Sequence, residues 1–324
     1  MAALITRKKA GKIYHYFNAR GRITDEAEIE RINKLVIPPA WKDVEIAASR
    51  SAKVQARGYD ASGRLQSIYH PNFRLKQEKL KFNRILKFAD ALPALRKQVE
   101  KDLARKKLSK DKVLACIVKL IDDAYFRVGN ERYVAEHQTY GITTLRSKHA
   151  TITSTTVTFD FVGKSGKKHH KKIKDSKIAR IIKQLDELPG HELFRYQDEL
   201  GTMHDLHASD VNRYIKTHMG EEFTAKDFRT WGGTLLATSS LLQDTLSDDA
   251  SQTARKKAVT KIVKRVAKKL GNTPAVARSS YIDPRVIEAY ENGSVPKVRE
   301  AMVRMRPRKY MSVDEQCVLR LLKP

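Results

Sequence analysis

The pattern of apolar and polar positions changes character along the chain, and each change predicts a different element. Up to about residue 76 the apolar runs are short and broken by turn residues. Lys12-Ile13-Tyr14-His15-Tyr16-Phe17 before Asn18-Ala19-Arg20-Gly21 predicts a strand and turn, and 25–35 predicts a short helix. Ile37-Pro38-Pro39-Ala40-Trp41 predicts an extended connector, because each proline pushes the residue before it out of helical geometry. Val44-Glu45-Ile46, 52–56 and 65–69 predict strands, the last two forming a hairpin through Asp60-Ala61-Ser62-Gly63. From about Gln77 the period becomes helical: Leu80, Phe82, Ile85, Leu86 and Ala89 begin a run that continues past Pro93.

Val113, Leu114, Cys116, Ile117, Leu120, Ile121, Ala124, Tyr125 and Val128 then make one stripe of a long amphipathic helix, which Arg127 closes. Residues 151–162, β-branched and aromatic, predict one strand, turned at Gly163-Lys164-Ser165-Gly166 and returned by the basic stretch 167–174. Helices follow at 176–188, at 209–218 and from Thr224, where Asp227 suits a variant capping box. Ala258, Val259, Ile262, Val263, Val266, Ala267 and Leu270 mark a further helix that Gly271 should end. Beyond it a short stretch of small and polar residues presents Tyr281, and 301–324 has helical periodicity that suits packing on the preceding domain. The fold class predicted is α+β: a small N-terminal β-rich domain over 1–80 and a larger, mainly helical domain with a small sheet over 81–324. Tyr59 and Tyr125 are read as core.

Charge sharpens this picture. The 324 residues carry 64 Lys plus Arg against 37 Asp plus Glu, a net charge of +27. Self-repulsion on that scale suits a chain that meets a polyanion, and DNA or RNA leads. A membrane partner is disfavoured: no apolar run of about 18 residues is present, and no basic helix has an aromatic opposite face. The first nine residues carry no apolar signal region, and Cys116 and Cys317 make neither a disulfide framework nor a zinc site. The expectation is a cytoplasmic, nucleoid-associated protein without metal or other cofactor. His204-Asp205-Leu206-His207 lacks a third ligand, and His169-His170 belongs to the basic return strand. Gly163-Lys164-Ser165-Gly166-Lys167 has the wrong spacing for a nucleotide-binding loop.

Phosphoryl transfer needs a nucleophile, cations on the phosphate oxygens and an acid for the leaving oxygen. Arg127, Lys164, Arg229, Asn272 and Tyr281 are residues of those types, with Lys226 one turn before Arg229. They stand within Phe126-Arg127-Val128-Gly129, Phe161-Val162-Gly163-Lys164, Lys226-Asp227-Phe228-Arg229-Thr230 and Gly271-Asn272-Thr273-Pro274 leading to Tyr281. In that order the set resembles the type IB DNA topoisomerases, specifically their compact poxvirus-like bacterial branch, whose catalytic domain shares the tyrosine recombinase fold. The resemblance extends through Ile37-Pro38-Pro39-Ala40-Trp41, Gly58-Tyr59-Asp60-Ala61-Ser62-Gly63-Arg64 and Tyr69-His70-Pro71, covering about residues 30–290.

It implies that Tyr281 attacks a DNA phosphodiester to form a 3′-phosphotyrosyl link, that Arg127, Arg229 and Asn272 hold its oxygens, that Lys164, assisted by Arg127, protonates the leaving 5′ oxygen and that Lys226 helps. It also implies a monomer clamping duplex DNA mainly by its backbone, with Gln66, Tyr69, Arg132 and Tyr133 among the contacts. Two positions depart from the family: Asn272 stands where many members have His, and Ser67 where relatives carry an aromatic residue. A tyrosine recombinase is the nearer alternative, but those enzymes generally carry His-x-x-Arg where this chain has Lys226-Asp227-Phe228-Arg229. A non-enzymatic chromatin or RNA-binding protein is the other.

Overall fold

Alternating apolar residues in the first 70 positions cover one face of a sheet, and one short helix closes over it. The computed structural model describes residues 4–11, 13–244, 246, 250–293 and 295–323. Lys12 of the first predicted strand therefore lies outside the described residues. The chain divides into two units, Met1–Lys81 and Phe82–Pro324. In the first, β1 (Leu4–Ala10), β2 (Ile13–Asn18), β3 (Gly21–Arg22), β4 (Lys42–Ala47), β5 (Val54–Tyr59) and β6 (Leu65–Tyr69) form an antiparallel sheet in the order β3-β2-β1-β4-β5-β6. Helix α1 (Glu26–Lys34), capped by the Asp25 carboxylate, sets Ile32 among Ile5, Tyr16, Ile23, Val44, Ile46 and Ala56. Tyr59, read as core, is 43% exposed, because it ends β5 on the outward face.

Helix α2 (Pro71–Leu103) starts six residues before the periodicity suggested. Pro71 suits a first turn, where a missing N–H is harmless, and His70 Nδ1 accepts from the Asn72 N–H. The helix runs through Pro93 without ending. Helix α3 (Lys110–Ala124) stops three residues short of Arg127, with Tyr125 as a left-handed cap at φ 57°. Helix α4 (Glu131–His137) follows. The single strand expected over 151–162 is two, β7 (Ala150–Ile152) and β8 (Thr156–Gly163). Thr153 turns between them, its hydroxyl accepting from Thr156 N–H at 3.0 Å.

Strand β9 (Lys167–Lys174) pairs with β8 along its whole length in a β7-β8-β9 sheet. Helix α5 (Ser176–Asp186), the hairpin of β10 (Arg195–Gln197) and β11 (Met203–Asp205), and α6 (Ala208–Met219) lead to α7 (Ala225–Leu242). Asp227 does cap α7, accepting from Thr224 N–H at 2.9 Å, and Arg84 of α2 pairs with it at 2.6 Å. Then come α8 (Gln252–Leu270), α9 (Pro274–Ser280), α10 (Pro284–Glu291), α11 (Val295–Arg304) and α12 (Val313–Leu322).

The C-terminal segment packs on this second unit. Buried Glu315 of α12 accepts from Arg96 of α2 at 2.8 Å and from Trp231 of α7 at 3.2 Å, while Val318 and Leu322 enter the apolar core. Cys116 and Cys317 are buried free thiols, and among the described residues no helix is long and apolar enough to cross a membrane.

Candidate active site

Two helix ends make the site. The last carbonyls of a helix lack intrahelical donors and sit at the negative end of its dipole, so they attract cations. At the end of α8, Gly271 (φ 64°) and Asn272 close a Schellman motif, with Gly271 N–H on Lys268 O at 3.2 Å and Asn272 N–H on Ala267 O at 2.8 Å. That leaves Leu270 O and Gly271 O for Arg229 Nη2 (2.8 Å) and Arg127 Nη2 (3.4 Å). At the end of α3, Tyr125 N–H returns to Ile121 O at 2.9 Å, and the next carbonyls are again taken by cations. Lys171 Nζ donates to Ala124 O, and Arg229 Nη1 to Tyr125 O at 2.7 Å. Two helix C-termini thus substitute for the carboxylate that a buried guanidinium ordinarily requires.

Asn272 joins the two arginines. Its Oδ1 accepts from Arg229 Nη2 at 3.1 Å and from Arg127 Nη2. Since both partners are pure donors, the amide oxygen must face them and Nδ2 must face away. Asn272 Nδ2 and Arg229 Nε are buried and have no acceptor among the described residues. An anion with several oxygens suits such donors, since a buried polar group without a partner is costly. Arg127 itself follows the α3 cap on an extended segment whose carbonyl accepts from Ile142 N–H at 2.8 Å.

Tyr281 caps α9, whose own start at Thr273-Pro274 follows directly on Asn272, so the stretch expected to be irregular is a short helix. The guanidinium of Arg229 lies over the tyrosine ring, 5.0 Å from its centroid. Burial by itself pushes the phenol up, but the positive charges of Arg229 and Arg127 outweigh it and hold the group below its usual 10.0. Arg127 is in turn brought down to about 10 by burial and by Arg229. The described residues place no metal-binding cluster of His, Cys, Asp or Glu here or elsewhere. His204 faces Asp198 at 2.7 Å and His207 faces Glu131 at 2.5 Å.

Of the six residues expected to act together, the structure joins Arg127, Arg229, Asn272 and Tyr281. Lys164 stands exposed on the β8–β9 turn, between Gly163 and the left-handed Ser165 and Gly166, and makes no hydrogen bond or ion pair with the four. Lys226 is exposed although Arg229, three positions on along α7, is buried. Among the expected DNA contacts, Tyr69 and Tyr133 are exposed beside Phe73 and His137. Arg132 pairs with Glu136, and Gln66 Nε2 donates to Asp60 in the β5–β6 turn at 2.9 Å.

Sequence reading missed three features of the site. Gly232 and Gly233, adjacent in the middle of α7, look costly until their surroundings are seen. A Cβ on Gly232 would lie 2.1 Å from the Tyr125 ring, and one on Gly233 would lie 2.4 Å from Tyr281 O. Gly233→Ala should therefore displace Tyr281, and the nucleophile role that the sequence resemblance implies for it predicts a roughly 10²-fold fall in DNA cleavage at saturating substrate with affinity within a few-fold. Single-turnover cleavage and a binding titration measure the two separately, and an unchanged cleavage rate would dismiss the contact.

Lys171 and His169 are the others, and strand alternation was the available signal. Buried Ile173 marks the inner face of β9, and Lys171 and His169 share its parity. Burial, then Arg229, Lys269 and Arg127, bring the Lys171 ammonium from 10.5 down to about 7. The folded protein thus binds fewer protons at this group than the unfolded chain between pH 7 and 10.5. Its cost to stability is full below about 7 and fades as pH rises. Lys171→Met should raise the melting temperature by several degrees at pH 6, at roughly 2–4 °C per kcal/mol, and lower it slightly at pH 10. Calorimetry at both pH values checks this, and equal shifts would contradict it.

A cleft of about 730 Å³ runs along β9 and the end of α8, lined by Lys167, Lys171, Lys268, Lys269 and Asn272 among others. Its basic walls suit a polyanion.

Residues 70–306 match the family described as "Eukaryotic DNA topoisomerase I, catalytic core", and residues 13–60 the family described as "Bacterial DNA topoisomerase IB, N-terminal domain". The chain is 36% identical over 295 residues to DNA topoisomerase 1B of Acanthamoeba polyphaga mimivirus, a match spanning 89% of this chain and 88% of that protein. It is 22% identical over 290 residues to DNA topoisomerase 1B of vaccinia virus (strain Copenhagen), spanning 86% and 88%. With DNA topoisomerase 1 of Mycosarcoma maydis it shares 28% over 192 residues, 54% of this chain and 18% of the fungal protein.

Proposed function

Since the chain belongs to the type IB DNA topoisomerases, isomerases that act on DNA, we propose how its own residues divide the work of relaxing supercoiled duplex DNA. Tyr281 Oη attacks a backbone phosphorus. The bond from phosphorus to the 5′ oxygen breaks as the 3′-phosphotyrosyl ester forms. Arg229 and Arg127 favour the phenolate, whose proton passes to solvent, and they hold the non-bridging oxygens with the N–H groups left over from the helix ends. Asn272 Nδ2 adds a neutral donor where a histidine would add charge. Lys164 gives a proton to the departing 5′ oxygen, and Lys226 supplies a further cation to the backbone nearby.

One phosphate ester replaces another, so the bond energy is kept. The cut strand rotates, the 5′ hydroxyl attacks the phosphotyrosine, and no ATP is consumed. A single chain carries every residue this reading uses, which is why we propose a monomer. Binding rests mainly on backbone phosphates and should weaken steeply with salt. Tyr69, Arg132 and Tyr133 are proposed contacts, and Gln66 one that must first release Asp60.

What carries the reading is the convergence of Arg127, Arg229 and Asn272, from three remote segments, beside the ring of Tyr281. Relaxation of a supercoiled plasmid in EDTA without nucleotide tests it. A ladder of relaxed topoisomers is expected, and a requirement for metal or ATP would overturn the mechanism.

A further inference from the structure

We propose that His169 is a positioning residue, which keys the turn bearing Lys164 to the end of α8 bearing Asn272. This rests on the reading of Lys164 as the acid. The imidazole lies between two glycines, and each immediately precedes one of those residues. A Cβ on Gly163 would lie 2.6 Å from His169 Cδ2, and a Cβ on Gly271 would lie 2.2 Å from His169 Cε1. Neither distance tolerates a side chain, so the ring rests directly on both backbones.

The ring's other neighbour extends the connection. His169 faces Phe161 across the β8–β9 ladder and stacks on it, with centroids 5.0 Å apart and planes at 21°. Phe161 stacks in turn on Phe126 at 5.8 Å and 14°. Phe126 immediately precedes Arg127. One row of flat rings therefore touches the chain next to Arg127, Lys164 and Asn272. Among the described residues the Lys164 side chain, unlike those of the other two, makes no hydrogen bond to fix it, so the placement of its turn depends on what supports Gly163.

The chemistry of the ring suits this task. Burial, then Lys171, Arg127 and Arg229, lower His169 to about 4, so it stays neutral at ordinary pH. A neutral ring fills the space without adding a charge to a cluster that already holds three cations. A catalytic acid placed only 1 Å off line loses on the order of 10²-fold in rate.

The experiment compares single-turnover cleavage of a duplex oligonucleotide carrying an ordinary 5′ oxygen, or a 5′-phosphorothiolate, at the scissile bond. Sulfur leaves without protonation, so it relieves defects in the acid step alone. Lys164→Ala should be slow on oxygen and relieved by sulfur. His169→Ala should slow cleavage about 10²-fold at saturating DNA with unchanged affinity, and sulfur should restore most of it. His169→Phe, flat and uncharged, should stay within a few-fold of the unmodified enzyme. If sulfur relieves Lys164→Ala but not His169→Ala, or if His169→Ala is not slow, the positioning role is overturned and the acid role survives. If sulfur fails to relieve Lys164→Ala, the acid role falls and this proposal falls with it. Should His169→Ala not fold, His169→Leu, which fills the space without a flat ring, is judged by the same outcomes.

Discussion

Tyr281→Phe is expected to abolish plasmid relaxation and the covalent protein–DNA adduct together, while leaving duplex binding within a few-fold of the unmodified protein. The substitution removes one oxygen. Phenylalanine keeps the ring that lies 5.0 Å under the Arg229 guanidinium, and Tyr281 N–H keeps its place on Ala277 O at 3.0 Å. The glycine at 233 still meets the same backbone, so the cluster of cations should stand unaltered and continue to bind phosphate. What disappears is the proposed nucleophile, and removing a nucleophile costs on the order of 10⁶-fold, which puts relaxation below detection. Denaturant-trapped adduct on a labelled oligonucleotide reads the chemistry, and a gel-shift titration reads the binding. An adduct that persists in Tyr281→Phe would move the nucleophile to another residue, which peptide mapping would identify.

The pH response follows from the same charges. The phenol is held below 10.0 by the positive charges of Arg229 and Arg127, so cleavage by the unmodified protein should rise with pH and level off earlier than a free phenol would. The break before Tyr281 was legible in the sequence from a helix stop at Gly271 and a proline at 274, but its choice among 12 tyrosines came only from its place in the ordered set. The arginines were legible only as members of an ordered set, since single cations in a chain of net charge +27 carry little information.

Other parts were hidden for identifiable reasons. The left-handed turn at Tyr125, which frees the α3 carbonyls, occupies a position where Gly or Asn is the usual signal, so the helix was extended to Arg127. The Thr-rich run at 151–162 has uniform strand character, and only the Thr153 side-chain hydrogen bond divides it. Spacing along α7 suggested that Lys226 accompanies Arg229, yet it cannot say which of two neighbouring faces is buried. Lys171 and His169 were concealed by composition: in a strand reading KKHHKKIK, a half-buried ammonium and a half-buried imidazole look like solvated surface until Ile173 fixes the inner face.

Arg229→Ala should be the most damaging change that leaves the nucleophile in place, because this guanidinium has two tasks. The first is structural. Its Nη1 and Nη2 satisfy Tyr125 O and Leu270 O, and it shares Asn272 Oδ1 with Arg127. Alanine orphans the buried Leu270 O and the part-buried Tyr125 O at about 1–3 kcal/mol each, the latter toward the low end, so a loss of roughly 2–4 kcal/mol in stability is expected by denaturant titration. The second task is chemical. In the proposed mechanism the buried Nε, without an acceptor among the described residues, and the charge over the Tyr281 ring both act on the reacting groups. Removing one such donor costs about 10²–10³-fold, and loss of the charge that lowers the phenol adds to it. Arg229→Lys separates the tasks: it restores a charge, but one ammonium cannot reach two helix ends and an amide at once, so it should recover little of the rate. DNA affinity should change only slightly in both variants, since one of 64 basic residues is altered. Cleavage within tenfold of the unmodified protein in Arg229→Ala, measured in single turnover on folded material, would show that the helix ends and Arg127 suffice to hold the phosphate without it.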